Sequence, residues 1–222
     1  MKTWSQIAVE FTKSLRRYGD ETVRQVEADI PMSEDQVQSL EDSLEIFIPD
    51  SLQDFLTTDS ASCRCEYYLS TAKHPEQSPI QMYGTELANR MALSSIYGGA
   101  NLCNSEHFAF WNSDDLKSVF AFDAELNDYW QNAFIFAAVG NGDFLGLDCR
   151  ENFIDPAVIY LDHEGEIRPP ISNSLNDFLF NWQRLGYIGP AIWRIEKYFD
   201  SHGLLNWEIA CDDQIKHERW TI

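Results

Sequence analysis

The chain has 222 residues, with 16 Lys and Arg against 36 Asp and Glu, which gives a formal net charge of −20 and a sequence pI near 4.4. This balance excludes a protein that grips nucleic acid through a basic surface, and it disfavours docking on anionic lipid. Because 44% of the residues are hydrophobic, we expect an ordered chain that buries a sizeable core as a single domain over residues 1–222.

The first sixty residues predict three amphipathic helices. The first ends near Gly19 and carries apolar residues at three- and four-residue steps: Trp4, Ile7, Ala8, Phe11, Leu15 and Tyr18. The second opens at Ser33, with Gln36 completing a capping box. Its predicted buried stripe is Val37, Leu40, Leu44 and Phe47. Pro49 stops this helix, and a short third helix follows with Leu52, Phe55 and Leu56 on its apolar face.

The middle of the chain predicts a series of short elements. In order, these are a strand at 63–70, a surface loop at 71–79, a weak helix at 86–97, a helix at 114–121 and a helical turn at 125–130. We expect Gly98-Gly99 to close the weak helix. Asn112-Ser113 is expected to cap the helix that begins at Asp114.

Three apolar runs of strand length follow, at 134–139, 144–147 and 157–161. The segment 140–143, Gly-Asn-Gly-Asp, suits a tight hairpin between the first two, because Gly and Asn tolerate positive φ. Two helical segments come next, one capped within 172–174 and one at 191–199, and the C-terminus from Leu204 reads as strand or loop. Consecutive strands with helices before and after them predict an α+β fold, with an antiparallel or mixed central sheet flanked by helices.

The acidic residues are concentrated in two windows. Residues 29–59 contain nine acids and no Lys or Arg, and residues 112–166 contain twelve acids and two bases. Nearly all of the net charge therefore comes from these two windows. Scattered charge would serve solubility equally well, so the clustering favours an acidic surface that recognises a basic partner.

The segment 1–17 lacks the apolar core and small-residue cleavage site of a secretory signal, and no run reaches the ~20 apolar residues of a membrane span. Five cysteines stand at irregular spacings: Cys63, Cys65, Cys103, Cys149 and Cys211. An odd number without a metal-ligand pattern predicts free thiols in a reducing compartment. We therefore expect a cytoplasmic protein with no membrane association.

Several motifs, in order, resemble the SUKH superfamily, which includes a yeast cell-wall-assembly regulator and many bacterial immunity proteins. The early match is Leu40-Glu41-x-x-Leu44 followed by Ile48-Pro49-Asp50-Ser51-Leu52-x-x-Phe55-Leu56. The stronger match runs from Ile135 through the Gly-Asn-Gly-Asp hairpin to Asp148, then from Pro156 to Gly165, and into the Ser174–Leu179 helix. The resemblance covers a core at 32–182. Residues 1–31 form an N-terminal helix extension and residues 183–222 a C-terminal extension. Residues 57–62 replace the family's glycine-rich turn.

The resemblance implies an immunity protein, or antitoxin, that binds a cognate secreted toxin domain and has no shared active site. A basic nuclease is the toxin class that an acidic surface complements. The partner-binding residues predicted from the two windows are Glu34, Asp35, Glu41, Asp42, Glu45, Asp114, Asp115, Asp123, Glu125 and Asp128. We expect a non-enzymatic protein with no catalytic residues, metal or cofactor.

Two other functions remain open. One is a regulatory scaffold module with an endogenous partner, as in the eukaryotic members of the superfamily. The other is a hydrolase built around His163, in which Asp162, Glu164 and Asp148 could form a metal or acid–base site. Adjacent residues of a strand or turn point in different directions, which favours a structural turn with a solvated His163.

Overall fold

The computed structural model describes residues 2–18, 23–70, 95–102, 105–120, 122–139 and 142–209. Its helices are α1 (Trp4–Ser14), α2 (Glu34–Leu44), α3 (Asp50–Thr58), α4 (Ser105–Trp111), α5 (Asp114–Val119), α6 (Ala124–Gln131), α7 (Leu175–Arg184) and α8 (Ile192–Ile195). Short 3-10 turns cover Leu15–Tyr18 and Glu196–Tyr198. The strands are β1 (Val23–Ala28), β2 (Cys63–Ser70), β3 (Ser95–Leu102), β4 (Ala133–Ala138), β5 (Phe144–Asp148) and β6 (Ala157–Leu161). No helix in these ranges combines the length and apolar character needed to cross a membrane.

The strands form one sheet in which hydrogen-bonded neighbours are also neighbours in the chain, from β1 to β6. The pairs β3–β4, β4–β5 and β5–β6 are antiparallel. An antiparallel sheet with helices confirms the predicted α+β fold. The chain divides into two compact units: unit 1 comprises 1–27, 64–100 and 180–222, and unit 2 comprises 28–63 and 101–179. The single domain over 1–222 stays a prediction.

Unit 1 is held together by an aromatic core. Helix α1, which begins at a capping box formed by Thr3 and Gln6, places Trp4 and Phe11 against the ring of Tyr187, with centroids 5.3 and 5.4 Å away. The indole of Trp182 donates a hydrogen bond of 2.7 Å to the carbonyl oxygen of Ile188. Residues near both ends of the chain therefore pack within one unit.

Gly98 and Gly99 lie inside strand β3, so the prediction that they end a helix is wrong. A Cβ on Gly98 would fall 2.2 Å from the ring of Tyr67, and a Cβ on Gly99 would fall 1.8 Å from the carbonyl oxygen of Cys65. Glycine is required here because strands β2 and β3 approach closely. The predicted loop at 71–79 and the first part of the weak helix, 86–94, lie outside the described residues.

In unit 2, strands β4, β5 and β6 confirm the three predicted apolar runs. Strand β4 pairs with β5 from Ala133↔Asp148 to Ala138↔Phe144, with a register shift between Ile135 and Ala137, and β5 pairs with β6 from Phe144↔Leu161 to Asp148↔Ala157. A hydrogen bond of 2.8 Å from the Val139 N–H to the Asp143 carbonyl closes the hairpin, and Gly142 has φ of +100°. Residues 140 and 141 lie outside the described residues.

The predicted cap at Asn112-Ser113 is confirmed at Ser113, whereas the side chain of Asn112 binds strand β4. Its Oδ1 accepts a 2.8 Å hydrogen bond from the Ile135 N–H, and its Nδ2 donates a 3.0 Å hydrogen bond to the Ile135 carbonyl. Ser113 alone caps α5, through its hydroxyl and the Leu116 N–H. Asn112 thus supplies both hydrogen bonds that a neighbouring strand would give to Ile135.

The capping box of Ser33 and Gln36 is confirmed, but the predicted buried stripe of α2 is partly wrong. Val37 is buried, Leu40 and Leu44 are half-buried, and Phe47 is 74% exposed. The helix ends at Leu44, and the next residue, Glu45, has φ of +56°. This left-handed residue turns the chain, so the helical spacing that predicted burial of Phe47 stops before it.

Candidate protein-binding surface

Helix α2 presents an acidic face to solvent. Glu34 and Asp35 lie in its first turn, where their charge is favourable to the helix dipole, and both are exposed. Asp42 is exposed further along and accepts a 3.1 Å hydrogen bond from the Gln38 side chain. Glu45 is exposed just after the helix. Four of the five α2 acids predicted to bind a partner are therefore accessible.

Glu41 is the exception on this helix, because its side chain is used inside unit 2. Its carboxylate accepts hydrogen bonds from the Ile48 N–H at 2.8 Å and from the Gln53 side chain at 3.1 Å. Glu41 is only 8% exposed. It therefore fixes the chain reversal between α2 and α3, and its assignment to the partner-binding set has no support from its position.

A second acidic group follows the starts of α5 and α6. Asp114 and Asp115 occupy the first turn of α5, and Glu125 occupies that of α6. Asp123 caps α6 by accepting 2.9 Å hydrogen bonds from the backbone N–H groups of Glu125 and Leu126. All four side chains and that of Asp128 are exposed. For the first four, positions at helix starts explain locally why acids are favoured there, while leaving their charge open to solvent.

The two bases of the 112–166 window are occupied within unit 2. The buried amino group of Lys117 donates hydrogen bonds to the Ala133 carbonyl at 2.8 Å and the Gln131 carbonyl at 3.3 Å, and burial lowers its pKa. Arg150 binds Asp148 through two hydrogen bonds of 2.8 and 2.7 Å, which lower the pKa of that carboxyl group. Most exposed carboxylates of this window therefore have no Lys or Arg of the window to neutralise their charge.

Within the part of the chain that the structure describes, one of the ten predicted partner-binding acids forms an ion pair with Lys or Arg. Asp128 lies 3.9 Å from a guanidinium nitrogen of Arg150. Helix α4 contacts both α2 and α5, and α5 contacts α6, so the two acidic groups belong to one connected series of helices in unit 2. Excess negative charge on such a surface attracts cationic partners and accelerates their association.

The residues around His163 form a hydrogen-bonded turn. Buried Asp143 accepts a 3.0 Å bond from the His163 backbone N–H, lies 2.5 Å from His163 Nδ1 and accepts a hydrogen bond from the Tyr160 hydroxyl. Asp162 accepts from the Glu164 N–H at 2.7 Å. The Asp143 hydrogen bond, helped by nearby carboxylates, raises the pKa of His163.

This cluster differs from the metal or acid–base site considered from sequence. Asp143, Asp162 and His163 bring their potential ligand atoms within 4.8 Å of one another, whereas Asp148 binds Arg150. The 2.5 Å separation of His163 Nδ1 from Asp143 is that of a hydrogen bond, and two ligands of one metal ion lie about 3 Å apart. The arrangement is that of a carboxylate hydrogen-bonded to an imidazole nitrogen.

Several large apolar side chains of unit 2 that the sequence did not single out as surface residues are exposed. They are Ile30, Phe47, Phe110, Val119, Phe122, Phe153, Ile154 and Ile167. Three of them, Phe47, Phe153 and Ile154, come from segments that are joined by backbone hydrogen bonds. Phe47 is exposed because α2 ends at Leu44 and Glu45 is left-handed, and the sequence carries no clear signal for a helix end four residues before Pro49.

The model of the SMI1/KNR4 family (SUKH-1) matches residues 31–181 of the chain. This range covers more than half of the chain. The chain therefore belongs to the SMI1/KNR4 family. Members of this family are generally non-catalytic immunity or regulatory proteins, so membership supports a role of that general kind. No curated protein matches the chain.

Proposed function

We propose that the protein is a cytoplasmic immunity protein, which binds and neutralises the basic domain of a cognate secreted toxin, a nuclease, without catalysing a reaction. Family membership supports an immunity or regulatory role. The observation that carries the finer proposal is the exposed acidic surface of α2, α5 and α6, whose carboxylates are largely free of ion pairs among the described residues. A nuclease needs a basic groove for phosphates, and an acidic surface complements it.

In this mechanism, α2 and the segment 114–128 either cover the toxin's active site or hold the toxin beside it. The opposite potentials bring the two proteins together quickly and reject partners of the wrong charge. Affinity comes from a smaller number of apolar or aromatic side chains that lose their contact with water in the complex.

The test is co-expression with the product of the neighbouring gene, followed by co-purification and a growth-rescue assay. We expect a toxin whose C-terminal domain is basic to arrest growth alone, and the full chain to restore growth and to co-purify with that domain. Rescue without a complex, or a complex without rescue, would contradict neutralisation by direct binding.

A regulatory scaffold is the second candidate, because the family also contains regulatory proteins. Its partner would be endogenous and would not be toxic. Gene order separates the two functions: an adjacent large secreted gene with a variable C-terminal region favours immunity, and an isolated gene favours the scaffold.

The Asp143–His163 hydrogen bond is the observation that favours a hydrolase, since a carboxylate that orients a histidine is common in proton transfer. A His163→Ala variant that keeps full protection and binding would argue against this function. Loss of protection with retained binding would argue for it.

A further inference from the structure

An apolar surface is assembled at the start of α3 from two segments of unit 2. The backbone N–H groups of Asp50 and Ser51 donate hydrogen bonds to the carbonyl oxygens of Phe153, at 3.4 Å, and Ile154, at 2.9 Å. Phe47 lies three residues before Asp50 in the chain. We define the α3 patch as the exposed residues Phe47, Phe153 and Ile154 with the acids Glu45, Asp50, Glu151 and Asp155.

The α3 patch is preformed by main-chain contacts. Pro49, the N-cap residue of α3, makes no side-chain hydrogen bond to the first turn, so the loop carbonyls satisfy N–H groups that would otherwise lack a partner. Asn152 fixes the loop: its Oδ1 accepts from the N–H groups of Ile154 and Asp155, and its Nδ2 donates to the Asp155 carbonyl. A partner binding here would meet a surface that is already ordered, which lowers the entropic cost of association.

The apolar side chains of the α3 patch are too exposed to serve the core. Phe47 is 74% exposed, Ile154 69% and Phe153 40%. Single exposed hydrophobic residues are ordinary on a soluble protein, but several in segments that are bonded to each other, with acids beside them in the chain, are typical of an interaction site.

The charged residues that define the α3 patch are all acids. Glu45, Asp50, Glu151 and Asp155 are all exposed, and none forms an ion pair with a Lys or Arg within the described ranges. Arg150, next to Glu151 in the chain, is held by Asp148. The rim of the α3 patch therefore complements a cationic surface.

We propose that the α3 patch is the docking surface for a basic segment of the partner protein. An apolar side chain of that segment packs on Phe47 and Ile154, while its Lys or Arg side chains meet the surrounding carboxylates. A second copy of this chain is a poor occupant, because it would set two groups of like charges against each other. The inference rests on the proposed function, since it names where the basic toxin domain would bind.

The test uses a synthetic peptide that alternates Lys with Leu and Trp, titrated into the full chain and followed by backbone amide NMR shifts. We expect the shifts to concentrate in residues 45–54 and 150–155. A peptide in which Gly replaces Leu and Trp should bind at least about tenfold more weakly, because apolar anchors carry most of the affinity. Shifts spread evenly over α2, α5 and α6, or equal binding of both peptides, would overturn the proposal.

Substitutions at strongly exposed apolar residues, inside and outside the α3 patch, test the assignment of the binding site. The double variant Phe47→Ser, Ile154→Ser should weaken binding of the Lys–Leu–Trp peptide about tenfold or more. The control is Ile30→Ser: Ile30 is 85% exposed and lies near the other end of α3, where the neighbouring Met32 N–H binds the Leu56 carbonyl. It should leave the affinity unchanged. A control that weakens binding as much as the double variant would overturn the assignment.

Growth rescue separates this inference from the proposed function. If the wild-type chain protects against the toxin and the variant Phe47→Ser, Ile154→Ser protects fully as well, the α3 patch is overturned and the immunity function stands. Peptide binding confined to the patch in a chain that protects against no toxin would support the patch and contradict the immunity function. Self-association that the double variant abolishes would assign the patch to a second copy and overturn the proposal.

Discussion

The neighbouring residues Glu41 and Asp42 show how differently two acids of one helix can be used. Glu41 accepts hydrogen bonds from Ile48 and Gln53 inside unit 2, whereas Asp42 is exposed and accepts one from Gln38. The sequence counted both as surface charge. The helical spacing distinguishes the two acids, because Glu41 lies four residues after buried Val37, on the same face of the helix.

Glu41→Ala should destabilise the protein by about 1–3 kcal/mol, because the buried Ile48 N–H loses its acceptor. Asp42→Ala, the control on the exposed face, should change the free energy of unfolding by no more than about 0.5 kcal/mol. Urea unfolding followed by circular dichroism measures both. Equal effects of the two substitutions would contradict the structural role of Glu41.

His163 should stabilise the folded chain more at acidic than at alkaline pH. Its pKa is raised in the folded state by the hydrogen bond to Asp143, above the value of about 6.5 expected when unfolded. The stabilisation is therefore fully present below the unfolded pKa and is lost as the pH rises through the folded pKa. The difference in unfolding free energy between wild type and His163→Ala should be larger at about pH 5.5 than at about pH 9.

An NMR titration of the His163 ring gives an independent check of this pH dependence. The midpoint should lie above about 6.5 in the wild type and fall in Asp143→Asn, which removes the negative charge but keeps an acceptor. A midpoint that does not respond to Asp143→Asn would contradict the assigned cause.

At the scale of elements, strand β4 depends on side chains as well as on neighbouring strands. Asn112 supplies the hydrogen bonds of Ile135, and Lys117 donates to the Ala133 carbonyl at the start of the strand. Both residues belong to the region of α4 and α5, so these helices are joined to the sheet by polar contacts as well as by packing of Phe108 against Phe134.

Asn112→Ala should cost about 1–3 kcal/mol of stability, since both polar backbone groups of Ile135 lose a partner in a buried setting. Asn127→Ala is the matched control, because Asn127 is exposed on α6, and it should change stability by no more than about 0.5 kcal/mol. Hydrogen exchange at the Ile135 amide should also become faster in Asn112→Ala. Unchanged exchange would show that Asn112 does not protect this strand.

Elements with a simple period were predictable and those with special contacts were not. The strands β4, β5 and β6 were visible as apolar runs, and the starts of α2 and α5 as capping patterns. Strand β3 was missed because its glycines serve close backbone approach, which depends on Tyr67 and Cys65 some thirty residues earlier. Strand β1 was not predicted either, because its residues do not alternate regularly between the two faces of the sheet.

At the scale of the whole molecule, the exposed acids of the two windows keep their negative charge because the bases within the windows, Lys117 and Arg150, bind other groups. The sequence predicted the windows from charge counts, and nine of the ten acids named as partner-binding are exposed. It could not separate Glu41 from the rest, nor predict that Phe47 is exposed and that Asp50 and Ser51 bind the loop at 153–154, since these facts depend on where α2 ends and on contacts across a hundred residues.

Under the proposed function, charge reversal at the end of α2 should slow association with the basic toxin domain. The double variant Asp42→Lys, Glu45→Lys should lower the association rate about tenfold at low salt and flatten its dependence on salt concentration. The control variant Glu196→Lys, Glu208→Lys makes the same change in net charge on exposed residues of unit 1. Stopped-flow kinetics should show a much smaller effect for this control, and equal slowing would mean that net charge alone governs the encounter.

The cap of α3 by loop carbonyls has a consequence for how the protein can evolve. Main-chain hydrogen bonds from Asp50 and Ser51 place no demand on which side chains stand at positions 153 and 154. Position 47 likewise projects from a reversed chain and not from a packed helix. Mutation can therefore change the exposed side chains at all three positions, and with them the chemistry of the α3 patch, while the backbone beneath keeps its geometry.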